Sequence, residues 1–244
     1  MPLLDVSDVS VSFGGIKALS QISMNVDEGR MVGLIGPNGA GKSTLIGVLS
    51  GLCPPMTGTV TFKGRDLLSL PPHRRIRLGM SRTFQRLDLW DSMDVYDNVL
   101  TAADLAARWR SDIDPVRAAN EAIERLSLEA VRTSQISELP TGTARLVEVA
   151  RALASSPDLM LLDEPCAGLD NTETGRLGDV LSDVVASGTS ILLVEHHVDV
   201  VFKFCSRVYV LDFGRVLAAG RPQEIQRNPA VRDAYLGELV ETAS

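Results

Sequence analysis

An α/β fold with an inserted helical segment is predicted by three observations on this 244-residue sequence. The apolar run Met31-Val-Gly-Leu-Ile35 leads into Gly36-Pro-Asn-Gly-Ala-Gly-Lys-Ser43, and Thr44-Leu-Ile-Gly-Val-Leu49 continues with helical character. Two further apolar runs, Leu159-Met-Leu-Leu162 and Ser190-Ile-Leu-Leu-Val194, are short and end in charged residues, as fully buried strands do. Between Arg86 and Arg151 the breakers thin out and apolar residues recur at helical spacing.

Strand, glycine loop and helix are the arrangement a phosphate-binding loop requires. Gly36, Gly39 and Gly41 let the backbone curl so that its N–H groups point at phosphate oxygens, and the helix N-terminus adds its positive end. In such a loop Lys42 reaches the outer phosphates and the Ser43 hydroxyl is a ligand for Mg²⁺. The sequence therefore predicts a nucleoside triphosphate site.

Three segments follow from the pattern. Residues 1–85 are read as a β subdomain and the start of the nucleotide-binding core, with Leu4 to Phe13 and Ile22 to Val26 alternating as half-wet antiparallel strands. Phe13 reads first as a core aromatic, and the cluster His73 to Arg77 as a solvated helical face begun by proline. Met80 to Gln85 reads as a strand with Gln85 at its end. Residues 86–151 are the helical insertion, with Asp94 and Asp114-Pro115 as helix starts. Ala144 to Ala154 is expected to be a helix with Leu146, Val149, Ala150 and Leu153 on one face. Residues 152–244 return to α/β, with Val208 to Leu211 and Arg215 to Ala218 as a hairpin about Phe213-Gly214, and Pro222 to Leu236 as one or two terminal helices.

Bulk properties narrow the function. Apolar residues make up 45% of the chain, enough for a core of this size. A net charge of −7 argues against broad nucleic-acid binding, which usually needs a basic face, though it leaves room for a local basic patch. Cys53, Cys166 and Cys205 are odd in number and far apart, which fits a reducing cytoplasm rather than a disulfide framework. No basic segment leads into an apolar one at the N-terminus, so no signal peptide is expected, and no apolar run approaches the roughly 18 residues of a span. Any membrane role is expected to come through a partner.

Asp163, at the carboxyl end of a buried strand, is placed to hold Mg²⁺, and Glu164 to polarise an attacking water. Gln85 and His196 mean little alone. Each, however, follows an apolar stretch and belongs where open α/β sheets put their ligands.

In this order, the residues resemble the ATP-binding subunit of an ATP-binding cassette (ABC) transporter along essentially the whole chain. The resemblance implies a P-loop NTPase (RecA-like) core with an N-terminal antiparallel β subdomain and an inserted α-helical subdomain. It makes Gly36, Pro37, Asn38, Gly39, Ala40, Gly41, Lys42, Ser43 and Thr44 the triphosphate loop and Phe13 the ring that stacks on adenine. It makes Glu164 the catalytic glutamate, His196 the switch histidine, and Gln85 a residue that serves both Mg²⁺ and the water. The Ala167-Gly-Leu-Asp170 segment matches the family's D-loop. Its signature segment, normally Leu-Ser-Gly-Gly-Gln, is here Leu139-Pro140-Thr141-Gly142-Thr143, with proline in place of the serine that meets the γ-phosphate. By the same resemblance two such subunits, identical or paralogous, sandwich two ATP molecules.

Phe13 to Leu19, Arg82-Thr-Phe-Gln85 and above all Asn228-Pro-Ala-Val-Arg-Asp-Ala-Tyr-Leu-Gly237 are similar to branched-chain amino acid importer ATPases. Importers of urea and short amides share these traits. His197 and Trp90 depart from the usual aspartate and phenylalanine. Trp90 to Asn98 lies where that family docks its permease. The expected function is an ATPase peripheral to the inner face of the cell membrane, bound to multi-span permeases and served by an extracytoplasmic solute-binding protein. The alternatives are a lipid- or lipopolysaccharide-export ATPase and a weakly hydrolysing regulatory module. A cassette acting on nucleic acid or the ribosome would show a second cassette or a coiled-coil insertion, and neither is present.

Overall fold

The computed structural model describes residues 2–233. In chain order the elements are β1 (Leu4–Phe13), β2 (Ile16–Val26), β3 (Met31–Ile35), α1 (Lys42–Ser50), β4 (Thr57–Phe62), β5 (Arg65–Asp66), α2 (Pro72–Arg77) and β6 (Met80–Arg82). Then come α3 (Val95–Ala107), α4 (Pro115–Arg125), α5 (Thr141–Ala154), β7 (Leu159–Asp163) and α6 (Asn171–Ala186). The chain ends with β8 (Ser190–Val194), α7 (Val198–Phe204), β9 (Arg207–Asp212), β10 (Arg215–Gly220), α8 (Pro222–Arg227) and α9 (Pro229–Val231). Two compact units result, residues 1–75 with 190–244 and residues 76–189. Of the Asn228 to Gly237 ending and the one or two helices expected over Pro222 to Leu236, the part from Ala234 on lies outside the described residues.

In the first unit β2, β1, β4 and β5 form an antiparallel sheet in that order. Leu4, Val6, Val9 and Val11 of β1 are all buried, which strict alternation from Leu4 would not allow. The register shifts between Val6 and Val9, and Asp8 takes a positive φ of 53°. This bulge inserts one residue and returns the later valines to the core face. In the same unit β3 runs parallel to both β8 and β9, and β10 turns back antiparallel on β9. All five residues of β3 and of β8 are buried, as their unbroken apolar runs predict. A side chain at Gly33 would lie 2.3 Å from Val201 Cγ1, so glycine is what lets α7 rest on β3.

The second unit pairs β6 with β7 in parallel and packs α3, α4 and α5 against one another. Asp94 and Asp114 cap α3 and α4 by accepting from the amides of Asp97 (2.7 Å) and Arg117 (3.1 Å), as their positions predict. The sixth strand is shorter than the sequence suggests and stops at Arg82, three residues before Gln85. Beyond it the Thr83 amide still donates to Leu161 O at 2.9 Å.

Two further expectations are corrected. The basic cluster is not wholly solvated, because Arg75 is buried. Its guanidinium donates to Val48 O (2.6 Å), Leu49 O (2.9 Å) and Leu70 O (2.9 Å), closing the carbonyl end of α1. A cation is favourable there because the last carbonyls of a helix are orphaned and partly negative. The buried face of α5 is built from Ala144, Arg145, Val147, Glu148, Val149 and Ala150, whereas Leu146 and Leu153 are only half-buried. An ion pair has displaced leucines from that face.

Arg75→Met keeps the aliphatic stem but takes the guanidinium donor from the carbonyls of Val48, Leu49 and Leu70, of which Val48 O retains the Gly51 amide at 3.1 Å. Unfolding free energy is expected to fall by about 3 kcal/mol, seen as a lower urea midpoint at unchanged slope.

Candidate nucleotide site

In the first unit the chain leaves β3 at Gly36, where φ is 155° and an added Cβ would sit 2.2 Å from Leu211 O. At Gly41 (φ 108°) a Cβ would meet Ala18 O and Leu19 Cδ2, each at 2.7 Å. Both positions are closed to any side chain. Gly41 is also the residue before α1, whose first turn carries neither a capping side chain nor an acidic residue. The amide donors of that turn are therefore left for an anion. The loop is braced from the β9–β10 turn, where the Gly214 amide donates to Ala40 O (3.0 Å) and Gly214 O accepts from the Ser20 amide (2.7 Å).

Lys42 is buried, and its ammonium donates to Gly36 O at 2.6 Å and Pro37 O at 3.1 Å. The cation is thus folded back along its own loop. Ser43, Asn38 and Gly39 are exposed. Phe13 is 55% exposed, so it is not a core aromatic, and its ring is available for stacking. His196 follows β8 and the buried Glu195, whose Oε2 accepts the His196 amide at 3.1 Å.

In the second unit Asp163 ends β7 with 3% exposure, and its amide donates to the fully buried Thr83 hydroxyl at 3.0 Å. Thr83 thereby sets the backbone from which Asp163 and Glu164 project. Glu164, next in sequence, has φ of 54°, a left-handed conformation uncommon for a residue with a side chain. Gln85 is exposed on the segment after β6. Arg82 lies with its guanidinium 4.0 Å from the Phe84 ring; burial pulls its pKa down, while Asp163, Glu148 and Asp88 act the other way.

The helix expected from Ala144 begins three residues earlier, inside the signature segment. Thr141, Gly142 and Thr143 form the first turn of α5, and Pro140 precedes them as the capping residue, with Pro140 O accepting the Ala144 amide at 2.9 Å. That turn has no side-chain cap and no acidic residue. A side chain on Gly142 would lie 2.7 Å from Gly168 O, so this glycine is required by contact with the Ala167 to Asp170 segment. Leu139 is half-buried. Asp170 caps α6, accepting the Glu173 amide at 2.8 Å while Glu173 Oε2 takes its own amide at 2.9 Å.

Sequence reasoning passed over Thr83, Arg145 and Glu148. A threonine two residues before the glutamine and charged residues at i,i+3 spacing occur on many surfaces, so nothing in the pattern marked them as buried. Among the described residues no helix is long and apolar enough to cross a membrane, and no cluster of three or more His, Cys, Asp or Glu is suited to a metal.

Glycine loop, uncapped helix and strand-end carboxylates define a P-loop NTPase of α/β architecture. The family model described as "ABC transporter" matches residues 19–167, and one for "Branched-chain amino acid ATP-binding cassette transporter" matches residues 215–240. The chain belongs to the ABC transporter family, as an ATP-hydrolysing cassette. It is 37% identical to the high-affinity branched-chain amino acid transport ATP-binding protein LivG of Salmonella typhimurium, over 97% of this chain and 98% of that protein. It is 36% identical to the lipopolysaccharide export system ATP-binding protein LptB of Acidithiobacillus ferridurans, over 97% of each. Among solved structures, an ATP-binding cassette of an ABC transporter in its ADP conformation superposes with a TM-score of 0.85 at 30% identity, covering 97% of this chain and 99% of that one.

Thr83→Val removes the acceptor of the Asp163 amide and little else. A loss of about 1–3 kcal/mol in unfolding free energy is expected, together with slower ATP turnover. A melt identical to that of the unchanged protein would show that the Thr83 hydroxyl is not what holds Asp163.

Proposed function

We propose that this chain drives the import of branched-chain or other hydrophobic and small polar amino acids through partner permeases, as the ATPase on the inner face of the membrane. The observation that carries the reading is the similarity to LivG over nearly the whole chain, joined by the match at residues 215–240 to a model named for branched-chain amino acid cassettes. Two copies, or this chain and a paralogue, would close on two ATP molecules, with a solute-binding protein delivering cargo to the permeases.

The residues divide the chemistry as follows. The amides of the Gly36 to Thr44 turn and the Lys42 ammonium take the triphosphate, while Phe13 stacks on the base. Lys42 exchanges the carbonyls of Gly36 and Pro37 for phosphate oxygens, which strengthens its bonds by making both partners charged. Ser43, Asp163 and Gln85 offer only oxygen donors, and few of them, which suits Mg²⁺ because that ion keeps several waters and takes the rest of its shell from phosphate. When bound, the ion would neutralise charge on the β- and γ-phosphates. Glu164 accepts a proton from the attacking water, and His196 and Gln85 orient the γ-phosphate and that water. The Thr141 to Thr143 turn presents its uncapped amides to the nucleotide of the opposing subunit.

The lipopolysaccharide-export reading keeps one supporting observation, the near-equal identity to LptB. Cells lacking this chain should lose high-affinity uptake of labelled leucine, isoleucine or valine and keep an intact outer surface. Unchanged uptake of these and of other small amino acids and amides would overturn the import reading.

Lys42→Ala should abolish nucleotide binding in equilibrium titration, and unchanged affinity would refute the role given to the loop. Glu164→Gln should bind ATP normally, accumulate a nucleotide-trapped dimer on size exclusion and lower kcat by roughly a thousandfold. Hydrolysis at the unaltered rate would remove Glu164 as the base.

A further inference from the structure

Arg145 and Glu148 stand one turn apart on α5 and are almost wholly buried, with side-chain exposures of 5% and 1%. Arg145 Nη1 donates to Glu148 Oε2 at 2.7 Å. Both residues also bind the backbone of the segment after β6. The Phe84 amide donates to Glu148 Oε1 (3.0 Å), Phe84 O accepts from Arg145 Nη1 (2.7 Å), and Gln85 O accepts from Arg145 Nη2 (2.8 Å). Consecutive backbone groups on either side of the Phe84–Gln85 peptide bond are therefore gripped by a single ion pair.

A buried ion pair is a poor way to stabilise a helix face, since removing two charges from water costs about as much as their attraction returns. This one also leaves Arg145 Nε buried with no hydrogen-bond partner. An apolar pair of the same volume would hold α5 to the strands as well, but it could not accept one backbone amide and donate to two backbone carbonyls. What the charged pair adds is a fixed position for Gln85 relative to α5. The first turn of α5 is Thr141 to Thr143, and Gly142 is in turn pressed on Gly168.

We propose that Arg145 and Glu148 are positioning residues that lock Gln85, on one ATP site, to the Thr141–Thr143 turn, which serves the other. The inference rests on the roles given above to Gln85 and to that turn. Displacement of either segment is then transmitted to the other through α5, without contact between Gln85 and the turn. Arginine is needed for its planar fork, because the two carbonyls are met by two different nitrogens of one guanidinium.

The test uses the full chain with its permeases and the variants Arg145→Lys, Glu148→Gln, Gln85→Ala and Arg145→Lys/Gln85→Ala. Lysine keeps the charge but meets the two carbonyls as a single point. Arg145→Lys should lower kcat roughly ten- to hundredfold while the KM for ATP stays within about twofold, since the Gly36 to Thr44 loop is untouched. Added to Gln85→Ala it should slow turnover no further, because both act on one group. Hydrogen exchange should quicken at the Phe84 amide and stay unchanged in α1. Multiplicative effects of Arg145→Lys and Gln85→Ala, or unaltered exchange at Phe84, would overturn the proposal. Unfolding of both Arg145→Lys and Glu148→Gln would assign the pair to stability alone and overturn it as well. Should Gln85→Ala hydrolyse ATP normally, the role of Gln85 fails and the proposal with it. If Gln85→Ala is slow and Arg145→Lys is not, only the proposal fails.

Discussion

The backbone at Gly36 passes so close to Leu211 O that no side chain fits, and the nucleotide loop takes its course from that contact. A strand exit fixed by β9 sends the chain through the loop, and a second close passage at Gly41 sets where α1 begins. Because Gly41 has no side chain, it cannot cap the helix it precedes, and the donors of the first turn face outward. At the other end Arg75 satisfies the carbonyls of Val48 and Leu49. One helix is thus left open at its positive end and closed at its negative end. An anion at the open end is favoured by the dipole and by the amides together.

The second unit solves a similar problem with side chains. Thr83 holds the amide of Asp163, Glu148 holds that of Phe84, and Arg145 holds the carbonyls of Phe84 and Gln85. Each buried polar group has a backbone partner within a few residues of a candidate catalytic side chain. Such groups are costly when half satisfied, so the segment they hold has few alternative positions. The side chains themselves, Gln85 above all, stay exposed on a fixed base. Catalysis by positioned groups depends on that combination, because small displacements of a reacting group are expensive.

What was legible in the sequence follows from whether a residue's role is local. Strands β3, β7 and β8 announced themselves as unbroken apolar runs, and α3 and α4 by aspartates at their starts. The glycine loop was readable because its spacing is dictated by the ligand it holds. The bulge at Asp8 was not, since it depends on Gly58, whose absent side chain lets Asp8 bend toward it; a Cβ there would meet Asp8 O at 2.6 Å. Arg75, Arg145 and Glu148 were hidden for the same reason. A charged residue is written as solvent-facing by any periodicity rule, and only the fold supplies the carbonyls that make burial tolerable. The start of α5 was misplaced because Pro140-Thr-Gly-Thr143 is rich in turn formers, yet proline at a helix boundary and an uncapped first turn are a workable beginning.

That beginning bears on how the altered signature works. Proline at position 140 removes a hydroxyl and an amide, which from sequence alone resembles a double loss. In the structure Pro140 occupies the capping position, outside the first turn, and its carbonyl still closes the helix onto Ala144. The amides of Thr141, Gly142 and Thr143 all remain, as does the dipole behind them. Gly142 cannot be traded for any larger residue while Gly168 lies against it, so the approach of the turn to an anion is held by intramolecular packing rather than by the serine. A missing hydroxyl forgoes at most one hydrogen bond to a charged acceptor, about 1.5–3 kcal/mol. Thr141, exposed at the first helical position, carries a hydroxyl of its own one residue later. What the segment keeps is therefore an uncapped helix end whose backbone is fixed by Gly168, without a serine hydroxyl beside it.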